Sequence, residues 1–316
     1  MTRLKAKVTN ALNETRMLIL GAQILLGFQL NAVFQPRFER LADHARWLDL
    51  AGLALMSAAV AFLIAPAPFH RLTESGRDTA RLHAFTTLMA ELALFPFGLC
   101  IGIDTFIVTE LLFGTLPSII AGAAFTATAA LFWYGLEVAR RGRKGGTLVN
   151  RHEDDEAPET DLSERINTLL IEARVILPGA QALLGFQFAA FLTNGFEQMP
   201  QRAKVVHLGC LACVALTTIL LMAPAAYHRL VAGGEDRPDV EQFGNRVVLA
   251  SLLPLALGLS GEFYIVAGKV GYADGAAIAA TLIALAVFLG LWFAYPLLAR
   301  TWRSKPGRRA LQAKQQ

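Results

Sequence analysis

The sequence predicts an all-α membrane protein with about eight transmembrane helices, built as two parallel four-helix repeats. Three observations predict it. The chain is 54% hydrophobic and only 17% charged over 316 residues, where a soluble domain carries about 25% charged residues. Apolar runs long enough to cross a bilayer recur along it. Its second half also repeats its first.

A spanning helix needs about 20 mostly apolar residues. In the first half the qualifying runs are Met17–Phe34, Trp47–Ala67, Phe85–Ile103 and Leu116–Val138. In the second they are Val175–Leu192, Val205–Ala225, Val247–Val266 and Ala276–Leu298. The runs are continuous rather than alternating. In lipid only helices and closed barrels satisfy every backbone group, so these are helices. The first run has no small-residue cleavage site after it and recurs mid-chain. It is therefore read as a retained helix rather than a signal peptide.

Between the halves the composition changes. Residues 140–165 carry a basic cluster from Arg140 to Lys144 and an acidic one from Glu153 to Glu156. Such a segment cannot bury enough apolar surface to fold alone, which makes it a solvated linker. The predicted organisation is a first repeat over 1–139, a charged cytoplasmic linker over 140–165, a second repeat over 166–300 and a basic tail over 301–316.

The repeat is explicit at a shift of 158 positions. Glu14–Gln29 aligns with Glu172–Gln187, and Ala65–Leu72 aligns with Ala223–Leu230. From Glu14 to Leu72 no gap is needed, and 24 of 59 positions are identical. Pro96 meets Pro254 and Asp104 meets Glu262. In the fourth span Trp133 and Trp292 correspond after a one-residue shift. An even number of spans per copy puts both copies in the membrane the same way up, as parallel repeats. With a cytoplasmic N-terminus, 23 of the 29 Lys and Arg residues fall on the inner side. That asymmetry predicts cytoplasmic termini at both ends.

The pattern Glu-x-Arg, Gly-x-Gln and Phe-Gln in the first helix, then Ala-Pro-x-x-x-His-Arg closing the second, resembles a bacterial family of four-helix membrane proteins. That family is catalogued as a domain of unknown function, and some members carry the label sodium:proton antiporter. The resemblance covers nearly the whole chain, once per copy. It rests on Glu14, Arg16, Gln23, His70 and Arg71, and on Glu172, Arg174, Gln181, His228 and Arg229. Its usual member is a single unit, so the fusion is a departure. The resemblance implies a bacterial inner (cytoplasmic) membrane location.

Two polar constellations could carry chemistry. The first is the cytoplasmic set Glu14, Arg16, His70 and Arg71, with its copy Glu172, Arg174, His228 and Arg229. Glu14 and Arg16 are two apart and cannot face each other on a helix. A pairing of Glu14 with Arg71 or His70 across helices is expected instead. It is either a clasp that sets helix register or a gate in which His70 titrates near neutral pH.

The second constellation lies deeper. Pro96 and Asp104 in the third span match Pro254 and Glu262 in the seventh, each with nearby glycines (Gly98, Gly102; Gly258, Gly261). Interrupted spans at matching positions of two halves point to a transport site. The alternative is that Asp104 and Glu262 end their spans at the outer interface. Gln23, Gln29, Gln181 and Gln187 either line a polar path or join helices by amide hydrogen bonds. Glu91 stands inside the third span, where its copy is Leu249.

Cys100, Cys210 and Cys213 lie in apolar stretches and read as small packing residues. No nucleophile elbow, zinc-peptidase pattern, P-loop or dinucleotide fingerprint occurs, so no enzyme, cofactor or metal site is predicted. The expected partners are the lipid bilayer, a small cation or proton, and a second copy of the chain, with no nucleic acid. Two functions stay open. One is a cation/proton or small-solute transporter or pore. The other is a non-transporting structural or interaction membrane protein.

Overall fold

A computed structural model of the chain describes residues 3–74, 76–77, 79–135, 162–232 and 235–301, with side chains from Thr15 onward except those of Arg16, Met17 and Phe132. Most of the linker, the tail beyond Thr301, and the side chains of Glu14 and Arg16 lie outside the described residues. No strand occurs among the described residues.

The first half forms α1 (Arg3–Ala32), α2 (Asp43–Leu72), α3 (Ala80–Phe113) and α4 (Thr115–Ala130). The second forms α5 (Leu162–Ala190), α6 (Gln201–Leu230), α7 (Pro238–Val270) and α8 (Asp274–Thr301). Six of these, α2, α3 and α5–α8, are long and apolar enough to cross a membrane. The apolar part of α1, Leu18–Ala32, and α4 are shorter.

Local sequence explains the helix ends. The Thr79 side chain accepts the Leu82 amide at 3.1 Å and caps α3. Gly114, at φ +81°, separates α3 from α4 by a single residue, a turn an L side chain resists. Gly271, at φ +102°, closes α7 in the same left-handed manner. Directly after α4 and within α8 the backbone widens into π-turns, at Leu131–Gly135 and Gly290–Ala294. The two correspond at the one-residue-shifted register, each centred on its tryptophan.

Both halves point the same way. At one end of the bundle Lys269 Nζ, from the last turn of α7, donates to the Gly195 carbonyl at 3.1 Å and lies 3.6 Å from Glu39. A Cβ on Gly195 would overlap the Phe34 carbonyl. The connections α1–α2, α5–α6 and α7–α8 therefore meet there. At the other end Thr73 Oγ1 donates to the Pro296 carbonyl at 3.0 Å, and Arg165 sits 3.3 Å from Glu241.

The halves join along α1 and α5. Gly27 of α1 accepts the Phe186 ring where a Cβ would clash, and Gly179 of α5 accepts the Gln23 amide likewise. Small residues at such crossings let helices approach closely in lipid, where no hydrophobic force drives them together. A second seam joins α2 to α8. Trp292 is fully buried and its indole N–H donates to the Ala61 carbonyl at 2.9 Å. Phe69 and Phe85 stack at 4.1 Å, and Tyr295 of α8 lies 5.6 Å from Phe85.

The outer surface stays apolar. Phe95, Leu112, Ile120, Ile219 and Ile283 are all more than half exposed. A belt of this kind running along several helices is a lipid-facing surface.

The helices α3 and α7 run further than the apolar spans read from the sequence. Asp104 does not end its helix, which continues to Phe113, nor does Glu262, whose helix continues to Val270. Neither helix is interrupted at Pro96 or Pro254. The nearby glycines serve packing instead. A Cβ on Gly102 would sit 2.9 Å from the Gly122 carbonyl of α4, and one on Gly258 would sit 2.9 Å from Val214 of α6.

Candidate functional site

At the Thr73 end, α2 delivers His70 and Arg71 from its last turn, both buried. Their acidic partner is Glu172 of α5, in the other half. His70 Nδ1 lies 2.5 Å from Glu172 Oε1, and Arg71 donates to Glu172 Oε2 and to Asn245 Oδ1 of α7. The expected pairing within one repeat was Glu14 with Arg71 or His70. Glu14 lies outside the described residues, and the carboxylate that holds Arg71 comes from the second copy. This clasp ties the halves together. Its counterpart is looser: Arg174 and Arg229 are exposed, and His228 lies 3.4 Å from Asp236.

At the opposite end each half builds a buried polar cluster of its own. In the first, α1 contributes Gln29, α2 Asp49, and α3 Cys100 and Asp104. Gln29 Nε2 donates to Asp104 Oδ1 at 3.1 Å and to Cys100 Sγ at 2.8 Å. Asp49 is buried beside them, within electrostatic reach of Asp104, and its Oδ2 has no hydrogen-bond partner. Gln29 Oε1 is likewise buried and unpartnered.

In the second half α5 contributes Gln187, α6 His207 and α7 Glu262. Gln187 Nε2 donates to Glu262 Oε1 at 2.8 Å. His207 Nδ1 lies 3.1 Å from Glu262 Oε2, and His207 Nε2 donates to the Gln187 carbonyl at 3.1 Å. A carbonyl can only accept, so Nε2 carries a proton and Nδ1 faces the carboxyl group. Phe34, Phe191 and Phe196 surround the imidazole, with ring centroids 5.2, 5.0 and 5.8 Å away.

The structure thus brings Gln29 to Asp104 and Gln187 to Glu262, at corresponding positions. It does not bring the other two glutamines into these clusters. Gln23 is fully buried against Gly179 with neither amide atom bonded, and Gln181 is exposed. Pro96 and Pro254 are buried within α3 and α7. Glu91 is exposed on α3, where its carbonyl accepts the Tyr134 hydroxyl at 2.8 Å. Cys210 packs against Gly258 and Gly261, a small-residue fit.

Sequence reasoning missed Asp49, His207, Cys100 and Asn245. The signal for the first two was available: residue 49 aligns with residue 207 at the repeat shift, and there an acid is exchanged for a base.

No curated protein and no solved structure matches the chain. One family model matches it twice, over residues 1–137 and again over 155–296, as two copies of one domain would. With that match covering most of its length, the chain belongs to the family of unknown function DUF6328.

Proposed function

We propose that the chain is an eight-span protein of the bacterial inner membrane, with both termini cytoplasmic, that moves a small cation or proton. The observation that carries the reading is the matched pair of intramembrane acids. Asp104 and Glu262 stand at the same position of the two halves, each on a proline-bearing helix and each held by a glutamine from the first helix of its half. Ionisable groups inside spans are costly and mark ion and proton pathways. An acid kept twice at that depth fits a group that exchanges its charge partner. The reading involves no enzymatic step.

The test is flux in proteoliposomes carrying an imposed pH or sodium gradient. The wild type should dissipate one of them. Asp104→Asn should slow that at least tenfold, and Glu262→Gln should have its own measurable effect. No flux in the wild type, or flux that survives both substitutions, would overturn the reading.

One observation favours the second reading, a non-transporting structural or interaction protein. Both oxygens of Glu262 are satisfied by Gln187 and His207, a network in which Gln187 Oε1 alone is left unbonded and which also suits a packing device. On that reading Glu262→Gln lowers stability and flux is absent from the wild type.

A further inference from the structure

The two polar clusters differ at one decisive position. In the second half, the residue facing the acid is His207. In the first half the equivalent position is Asp49, buried and within electrostatic reach of Asp104. Count the charge each cluster needs. Glu262 and His207 form a neutral unit with a single proton between carboxyl and Nδ1, wherever that proton resides. Asp49 and Asp104 are two acids. Among the described residues no basic side chain bonds to either of them. Arg46, one turn before Asp49, is bonded to Asp43, and His44 is paired with Glu110 at 2.8 Å. The thiol of Cys100 and the amide of Gln29 are the other polar groups at the site.

Buried charges must be paired or neutralised. The first cluster therefore needs two cations from solution to reach neutrality, while the second needs a single proton, held between two fixed partners. Two unsatisfied oxygens are available to receive one, Asp49 Oδ2 and Gln29 Oε1, of which Asp49 Oδ2 sets the cluster apart, since Gln187 Oε1 is unbonded in the second half as well. Both are buried, and both belong to residues at least nine-tenths enclosed.

We infer that the Asp49–Asp104–Gln29 cluster keeps one proton on its two acids and binds a second, exchangeable monovalent cation, H⁺ or Na⁺, and that His207 removes the need for that second cation in the other half, leaving one exchange site per chain. This rests on the cation-transport reading but concerns occupancy, not movement. Binding a proton here forms one carboxyl O–H bond and removes one proton from water. Binding Na⁺ instead displaces that proton to water.

The test is difference infrared spectroscopy on the full-length protein in lipid nanodiscs, following the C=O band of protonated carboxyl groups on a pH jump, with choline chloride and with NaCl. The wild type should show a titrating band that disappears in Asp49→Asn and in Asp49→His. His207→Asp should add a second such band. If NaCl at constant pH bleaches the band and releases protons, the occupant is Na⁺. If NaCl has no effect, it is H⁺. Asp49→Asn, which keeps the side-chain shape, guards against misfolding of Asp49→His. A wild type with no titrating carboxyl, a band that survives Asp49→Asn, or a folded His207→Asp protein without a new band would overturn the inference. These spectra use no gradient. A titrating band without flux would refute transport alone, and flux without the band would refute this site alone.

Discussion

Glu172→Gln removes the carboxylate that pairs Arg71 and His70 across the two halves at the Thr73 end. The side chains of Glu172 and Arg71 are each only 2% exposed. After the substitution Arg71 keeps its bond to Asn245 but loses its counter-charge, and His70 loses its acid. Breaking a buried pair by removing one partner costs about 3–5 kcal/mol, because the other charge is left uncompensated. The Arg202–Asp274 pair supplies the internal control. It has a longer contact of 3.3 Å and side chains 80% and 60% exposed, and such pairs contribute about 0–1 kcal/mol. Reversible unfolding in mixed micelles should therefore show Glu172→Gln to be several times more costly than Asp274→Asn. Replacing both members, Arg71→Met with Glu172→Met, should recover much of the loss, since no buried charge then remains unpaired. If Glu172→Gln and Asp274→Asn cost the same, the clasp does not hold the halves together.

Other substitutions probe the seams. Gly179→Leu forces Gln23 out of its place on α1, and overpacking of this kind should destabilise by about 1–3 kcal/mol in the same unfolding assay; Gln23→Ala in the same chain should restore part of it. Trp292→Phe keeps the ring but loses the bond to the Ala61 carbonyl, for an expected loss of about 1 kcal/mol. Gly102→Val pushes α3 from α4 at their closest crossing and should lower thermal stability, whereas the same change at Gly275, where a Cβ meets nothing within 4 Å, should not.

The helices were legible because lipid imposes a simple rule: long, unbroken apolar runs. Their ends were less so. Asp104 could be read as a site residue or as the end of its apolar span, because charge usually marks the interface; Gln29 and Cys100 bond to it and the helix runs on to Phe113. The clasp was found as a set of residues but not as a pairing. Both copies carry the same Glu, His and Arg, so the sequence cannot distinguish a bond within one copy from a bond between copies. Asp49 and His207 were missed for the opposite reason. A repeat is recognised by what its copies share, and these two lie at a mismatch. Asn245 faces Arg71 through a contact between distant helices, for which one sequence holds no local pattern.

The central claim is that two copies of one membrane unit lie side by side in the same orientation. Arg40 and Gln198 are equivalent positions in the α1–α2 and α5–α6 connections, and Arg77 and Glu235 are equivalent in α2–α3 and α6–α7; all four are exposed. Single cysteine substitutions at each, labelled in intact cells with a membrane-impermeant maleimide, measure the orientation directly. The account predicts that Arg40→Cys and Gln198→Cys react from outside, while Arg77→Cys and Glu235→Cys react only after the cells are opened. Labelling that places the two members of either equivalent pair on opposite sides of the membrane would contradict it.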